Sequence, residues 1–288
     1  MLKPVKRLLA GQFKDKISGK KLSLLPSSYQ KIGDIVIINL KKELWKNEKE
    51  IGQFLLEKIP NVRTVCRRTG FITTKKRKPQ MKVIAGEKKT ETIHKEHGVL
   101  YKLDVNEVMF AKGNLNERKR ITGLVTENET IVDMFTGIGY FSLGIAKFSN
   151  PEKVYAIEVN PVAYRYLFEN IKLNNVENKI IPILGDCIVE IPKLGRVADR
   201  VLMGLLPSCR EYLIDAMKVV KPNGIIHYHS TAKDWKELLE DVKTAAKIKG
   251  FKAELIRKVK VKSYAPKVYH WVLDCKILIK LKVKTPSS

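Results

Sequence analysis

From residue 130 onward, short apolar runs alternate with longer stretches whose apolar residues recur every three or four positions. The short runs are strands buried on both faces and the longer ones are amphipathic helices; their alternation predicts a parallel α/β sheet. TIVDMF is a strand and YFSLGIAKFS a helix, then KVYAIEV is a strand and PVAYRYLFENIKLN a helix opened by proline in its first turn. IIPIL, DRVLMGL and GIIHYHS read as further strands. STAKDWKELLEDVKTAAKIKG reads as a helix with a Ser/Thr start and a glycine stop, and YHWVLDCKILIKLKV as one long strand or a hairpin-like pair.

Before residue 109 the texture changes. GDIVIINL and TVCRRTGFI look like strands, KNEKEIGQFLLEKIP like a helix ended by proline, and TTKKRKPQMKVIAG like a basic, turn-rich stretch between strands. The pattern predicts a smaller α+β domain over residues 1–108 and the α/β domain over 109–288. NLNERKRITGLV, with charged and apolar residues at helical spacing, bridges them.

Charge alters this picture more than composition does. Fifty-five Lys and Arg against 30 Asp and Glu leave a formal charge of +25. Residues 1–130 carry +15, residues 131–225 only +1, and residues 226–288 +9. A near-neutral centre between two basic segments is the footprint of a polyanion-binding protein. A lysine-rich solvated surface is the plainer reading, but heat-adapted proteins balance lysine with glutamate and this chain does not. No apolar run is long enough to span a membrane, and MLKPVKRLLAGQFKDK lacks the core and cleavage site of a signal peptide, so a cytoplasmic protein is expected. Cys66, Cys187, Cys209 and Cys275 form no CxxC pair. His94 with His97 and His227 with His229 find no third ligand at metal-site spacing, so no metal is expected.

The chemistry concentrates at strand ends. IVDMFTGIGYFSLGIA sets Asp133, Gly137 and Gly139 at a strand-to-helix turn. A lone GxG is a weak signal, and a dinucleotide loop would carry a third glycine where Ser142 stands. Asp133 would repel a pyrophosphate but attract the ammonium of S-adenosylmethionine. Glu158 closes the second strand, where a carboxylate can accept from both ribose hydroxyls. Asp186 and Cys187 follow the third strand, where an acid can hold the adenine amino group and a small residue can meet the ring. Singly, each carboxylate could be a helix cap or a surface charge. Three at successive strand ends predict a class I, Rossmann-like S-adenosylmethionine domain.

With those residues placed, the chain resembles the tRNA guanosine-37 modification enzymes of archaea and eukaryotes. These comprise N1-methyltransferases and their sister family, the aminocarboxypropyl transferases of wybutosine synthesis. The resemblance runs over about residues 20–282, through LPSSYQKIGDIVII, GEKKTETIHKEHG, MFAKGNLNERKRI, DMFTGIGYFSL, AIEVNPVAYRYLFENIKLN, ADRVLMGLLPS and VKSYAPKVYHWVLD. Three places separate the sisters. The methyltransferases typically carry Phe-Ser-Pro-Arg-Leu, Gly-Pro-Phe and Asn-Leu-Pro where this chain has Phe110 to Asn114, Gly139-Tyr140-Phe141 and Gly204-Leu205-Leu206-Pro207. All three resemble the transferases. The resemblance implies transfer of the 3-amino-3-carboxypropyl arm of S-adenosylmethionine to C7 of 4-demethylwyosine at position 37 of tRNA-Phe, with methylthioadenosine released.

The remaining site expectations follow from that likeness. Gly204, Leu205, Leu206 and Pro207 become an apolar wall for a bulky tricyclic base, or else mere loop drift in a methyltransferase. Arg118 is the leading candidate for the methionine carboxylate, or else a surface ion pair, with Lys112 and Asn114 as weaker candidates; Phe110 and Asn114 are expected to bind the cofactor as well. The acceptor ring's proton could pass to water, Glu158 or His229. The basic flanks, above all RRTGFITTKKRKPQMK and KVKVKSYAPK with Tyr264, are expected to meet the tRNA backbone. The sister methyltransferases carry a further N-terminal domain gripping the tRNA elbow, and a full copy of it is not expected ahead of the shared core here. A monomer is expected. A guanine-37 N1-methyltransferase and a non-catalytic RNA-binding protein are the alternatives.

Overall fold

A computed structural model describes residues 4–70, 79–110 and 112–279, without the Pro4 and Lys112 side chains. The basic run at 71–78 and the side chain of the Lys112 candidate therefore lie outside what is described. The chain forms two compact units, Met1–Ala111 and Lys112–Ser288.

In the first unit, helices α1 (Pro4–Phe13) and α2 (Gly19–Leu22) precede strands β1 (Tyr29–Ile32) and β2 (Ile35–Ile38). Helix α3 (Glu48–Lys58) then crosses over to β3 (Thr64–Arg68), which lies parallel to β2, and β4 (Met81–Gly86) closes a sheet ordered β1-β2-β3-β4. MKVIAG, expected in a turn-rich stretch, is β4. Its neighbours are fixed by burial: Val36, Ile38, Leu44, Ile51, Leu55 and Val65 form one core with Leu9 and Phe13. Strands β5 (Glu91–Glu96) and β6 (Val99–Asp104) make a separate hairpin. Its turn residues His97 and Gly98 have φ of 47° and 80°, the paired positive values that match the twist of a two-residue hairpin. The hairpin is tied to the β1–β2 turn, where the Gly33 N–H donates to His94 Nδ1 at 3.1 Å and the Thr92 hydroxyl donates to Asp34 at 2.7 Å. A Cβ on Gly33 would fall 2.1 Å from Thr92 Oγ1, so only glycine allows this approach.

The second unit opens with α4 (Leu115–Thr122) and builds a seven-stranded sheet. Its strands are β7 (Thr130–Asp133), β8 (Lys153–Glu158), β9 (Ile180–Leu184), β10 (Ala198–Met203), β11 (Val220–Ala232), β12 (Phe251–Ala265) and β13 (Val268–Ile279). The order is β12-β13-β11-β10-β7-β8-β9, with β13 antiparallel to both its neighbours. Helices α5 (Ser142–Phe148), α6 (Pro161–Leu173), α7 (Cys187–Leu194), α8 (Leu213–Val219) and α9 (Trp235–Ile248) connect the strands. Val132, Ile157, Val201, Met203, Ile226 and Leu273 are fully buried at its centre, as two-sided strands require. Ser230 to Ala232 belong to β11 and not to a helix; Asp234 caps α9, its side chain accepting from the Lys236 N–H. YHWVLDCKILI is a single strand whose hairpin partner is the lysine-rich β12.

A buried ionic chain stitches α4 to the sheet. Arg120 bonds both Glu117 and Asp274, and His227 Nδ1 lies 2.7 Å from Asp274. Burial alone would raise the Asp274 pKa; the bonds from His227 and Arg120 hold it well below the carboxylate range. Among the described residues, no helix is long and apolar enough to cross a membrane.

Candidate active site

Four strands of the second unit end side by side, and each hands the chain to a loop carrying a predicted residue. Asp133 ends β7, Glu158 ends β8, Asp186 follows β9 and Gly204 follows β10, with β7 paired to both β8 and β10. Such carboxyl ends, where the strand order reverses, are where open α/β sheets bind ligands.

The turn after β7 is built around its glycines. Gly137 and Gly139 have φ of 60° and 97°; a Cβ would lie 2.5 Å from the Tyr140 ring in the first case and 2.6 Å from Leu143 in the second. Both therefore need glycine. Glu158 holds the loop from β8, one oxygen accepting from the Gly137 N–H and the other from the Asn160 N–H, each at 2.8 Å. A carboxylate offers about four lone-pair sites, so these two bonds do not by themselves exhaust it as an acceptor.

Asp133 behaves differently from the expected ammonium partner. It is fully buried, accepts from the Ser142 hydroxyl at 2.8 Å and from the Phe135 N–H at 3.4 Å, and thus supports the loop from beneath. Burial, against those hydrogen bonds and with Glu158 nearby, pushes its pKa up to about 6. Ser142, which displaces the third glycine of a dinucleotide loop, is its partner. Asp186 caps α7 by accepting from the Ile188 N–H at 3.0 Å, so the helix-cap role exists whatever else this exposed carboxylate does. Cys187 begins α7, and burial, then Asp186, pushes its thiol up to about 12.

The segment after β10 is fixed on both sides. The Pro207 carbonyl accepts from the Thr231 N–H at 2.8 Å, and the Cys209 thiol donates to the Met203 and His229 carbonyls. Gly204, Leu205 and Leu206 are half-buried and Pro207 is exposed. A Cβ on Gly204 would stand 3.2 Å from the Phe141 ring, so any larger residue crowds that aromatic face.

Arg118, on α4, is 6% exposed, with its guanidinium carbon 5.1 Å from the centroid of the Tyr140 ring. The same ring packs on Gly137, which brings Arg118 to the glycine turn. Lys262 of β12 joins it: a Cβ on Gly113 would meet the Lys262 ammonium at 2.5 Å, and burial, then Arg118, lowers the Lys262 pKa. Beside them, Asn114 keeps a buried Oδ1 with no hydrogen-bond partner among the described residues. Lys262 was legible only as one more lysine of KVKVKSYAPK, and nothing in that run marks it as the one facing α4.

Two further expected residues are buried side chains. Phe110 belongs to the first unit, 4% exposed, its ring against His94 and Tyr101 at centroid distances of 4.9 and 5.4 Å. His229 is 1% exposed beneath Phe141, its Nδ1 3.2 Å from His270 Nε2, and burial with His270 holds it neutral.

Two domain profiles match the sequence: the TRM5/TYW2 methyltransferase domain over residues 92–256 and the TYW2 N-terminal domain over residues 9–90. The chain belongs to the TRM5/TYW2 family. It is 45% identical to a tRNA(Phe) (4-demethylwyosine(37)-C(7)) aminocarboxypropyltransferase of Methanocaldococcus jannaschii, across 86% of this chain and 97% of that protein. It is 38% identical to the tRNA (guanine(37)-N(1))-methyltransferase Trm5b of Pyrococcus abyssi, across 88% of this chain and 76% of that one. The crystal structure of P. horikoshii TYW2 in complex with MeSAdo superposes with a TM-score of 0.81 at 34% identity, covering 95% of this chain and 99% of that one.

Proposed function

We propose that this TRM5/TYW2 chain is a tRNA aminocarboxypropyl transferase that alkylates C7 of 4-demethylwyosine at position 37 of tRNA-Phe. The apolar wall at Gly204 to Pro207, with Phe141 facing the missing side chain, carries the choice of reaction. A methyltransferase acting on guanine N1 must remove a proton from a polar base edge, for which an amide at position 204 is useful. A larger, less polar tricycle needs room and an aromatic face instead.

The residues fit S-adenosylmethionine as donor. Gly137 and Gly139 set the turn beneath the ligand, Glu158 takes the ribose hydroxyls, and Asp186 with Cys187 borders the adenine. Arg118 and Lys262, two cations side by side, hold the methionine carboxylate, and the unpartnered Asn114 Oδ1 accepts from the methionine ammonium. Asp133 acts through the loop it supports.

All three carbons on the sulfonium are electrophilic, so position selects which one reacts. Fixing the carboxylate and ammonium turns the methylene of the arm, not the methyl, toward the acceptor carbon. The C–C bond forms as the C–S bond breaks, the electron pair stays on sulfur in methylthioadenosine, and the ring proton departs to water. His229, neutral and buried, packs against Phe141.

The basic first unit and the β12 edge meet the tRNA backbone. One experiment tests the assignment: incubate the protein with tRNA bearing 4-demethylwyosine and S-adenosylmethionine labelled separately in the methyl and carboxyl carbons. Carboxyl label in RNA is expected. Methyl label would identify an N1- or wyosine-directed methyltransferase, and no label would leave an RNA-binding protein.

A further inference from the structure

The first unit contains a cavity of about 460 Å³ lined by Lys31, Gly33, Asp34, Asn61, Arg63, Lys89, Glu91, Thr92, Ile93 and Lys102. All of these come from one folded region, where the β1–β2 turn, the start of β3 and the β5–β6 hairpin converge. Four cations face two carboxylates there, and both carboxylates are engaged: Asp34 with Arg63 at 2.8 Å and Glu91 with Lys102 at 3.4 Å. Lys31 spends one N–H on the Pro60 carbonyl at 2.6 Å and keeps two. Lys89 is exposed and forms no ion pair among the described residues. Arg63 commits its terminal nitrogens to Asp34 and Glu87, while its buried Nε has no acceptor among the described residues. The balance is an excess of positive charge and of N–H donors.

We infer that this cavity is a phosphate subsite that receives one backbone phosphate, with its ribose, of the RNA substrate. The charge excess selects an anion, and several convergent donors select a phosphate over a lone carboxylate. The volume falls within the range of small-ligand pockets, roughly 300–1,000 Å³, and so exceeds the needs of a bare ion. Ile93, 49% exposed on β5 beside these charges, supplies an apolar face for the sugar. Gly33 shapes the floor, because any side chain there would strike Thr92. The inference rests on the tRNA reading above for its ligand's source. A free phosphate group would satisfy the same chemistry.

The test uses the full chain and the variants Lys89→Glu and Lys31→Ala, both at solvent-accessible positions, with melting temperature checked for each. tRNA affinity is measured from low to moderate salt, and methylthioadenosine affinity is measured alongside. Lys89→Glu should weaken tRNA binding about tenfold at low salt and flatten the log–log salt slope by ~0.7–0.9, the loss of one phosphate contact, with methylthioadenosine binding unchanged. In parallel, inorganic phosphate should shift the amide resonances of Gly33, Thr92 and Ile93. Unchanged tRNA affinity and slope in both variants, with those phosphate shifts present, would give the cavity to a free anion and overturn the RNA assignment. Unchanged binding without phosphate shifts would overturn the site. If the unaltered protein fails to bind tRNA, the functional reading fails, and the phosphate titration alone decides whether an anion site exists.

Discussion

Replacing Glu158 with glutamine should weaken nucleoside binding almost as much as replacing it with alanine. The reason lies in its two backbone bonds, since the carboxylate oxygens accept separately from Gly137 and Asn160, each at 2.8 Å. Glutamine has one acceptor oxygen and one NH₂ group, so it must point a donor at one of two N–H groups. It therefore loses a loop bond, gains a donor–donor opposition, and loses the charge that strengthens ribose hydrogen bonds. Hydrogen bonds to charged groups contribute about 1.5–3 kcal/mol each. For a half-exposed carboxylate serving two hydroxyls, we take the total loss as about 2–3 kcal/mol, or ~30- to ~150-fold in Kd. Titration calorimetry with methylthioadenosine is the appropriate assay, because that ligand keeps the ribose and lacks the methionine arm. A melting curve of the free protein separates loop damage from lost contact. If Glu158→Gln binds methylthioadenosine within twofold of the unaltered chain, Glu158 is not the ribose acceptor and the site has been drawn wrongly.

Other expectations follow from the same geometry. Arg118→Ala and Lys262→Ala should lower affinity for S-adenosylmethionine by about tenfold or more while leaving methylthioadenosine nearly unaffected, since only the former has the carboxylate; equal losses for both ligands would remove the cation pair from the arm. Gly204→Asn places a side chain against Phe141 and should reduce carboxyl-label transfer at least tenfold, read with the carboxyl-labelled donor; full activity would show that the wall does not shape the acceptor pocket. Asp133 should reveal itself in the pH dependence of stability. Its folded pKa of about 6 exceeds the ordinary 3.8, so the native state holds the proton longer and this group's contribution falls as pH rises from about 4 through 6. Melting of Asp133→Asn beside the unaltered protein should show their difference shifting in that window, against the unaltered chain as pH rises; a constant difference would contradict a raised pKa.

The sheet of the second unit was legible because its central strands are apolar on both faces, and the strand–turn–helix order then fixes where Asp133, Glu158, Asp186 and Gly204 must emerge. Three features escaped that logic for physical reasons. Strand β12 is an edge whose outward positions are lysines, a common way to keep a strand edge from pairing with strangers, so KVKVKSY reads as charge before it reads as strand. The fully buried Asp133 serves Ser142, and a strand-end carboxylate looks the same in sequence whether it faces a ligand or the loop beneath. Lys262 and the chain from Glu117 through Arg120 to Asp274 join residues more than 140 positions apart, beyond the reach of local periodicity.

The β5–β6 hairpin carries a consequence for where this protein can be cut. The family profiles divide between residues 90 and 92, whereas the hairpin is bonded to Gly33 and Asp34, and the Thr64 hydroxyl bonds the carbonyls of Glu87 and Lys89 just ahead of it. Severing the chain at the profile boundary strips those partners from the turn and leaves a two-stranded ribbon that is marginal alone. The segment that falls within the methyltransferase-domain profile is thus held folded by its neighbour. Limited proteolysis should spare the 90–92 joint, and a separable catalytic piece should begin near residue 112.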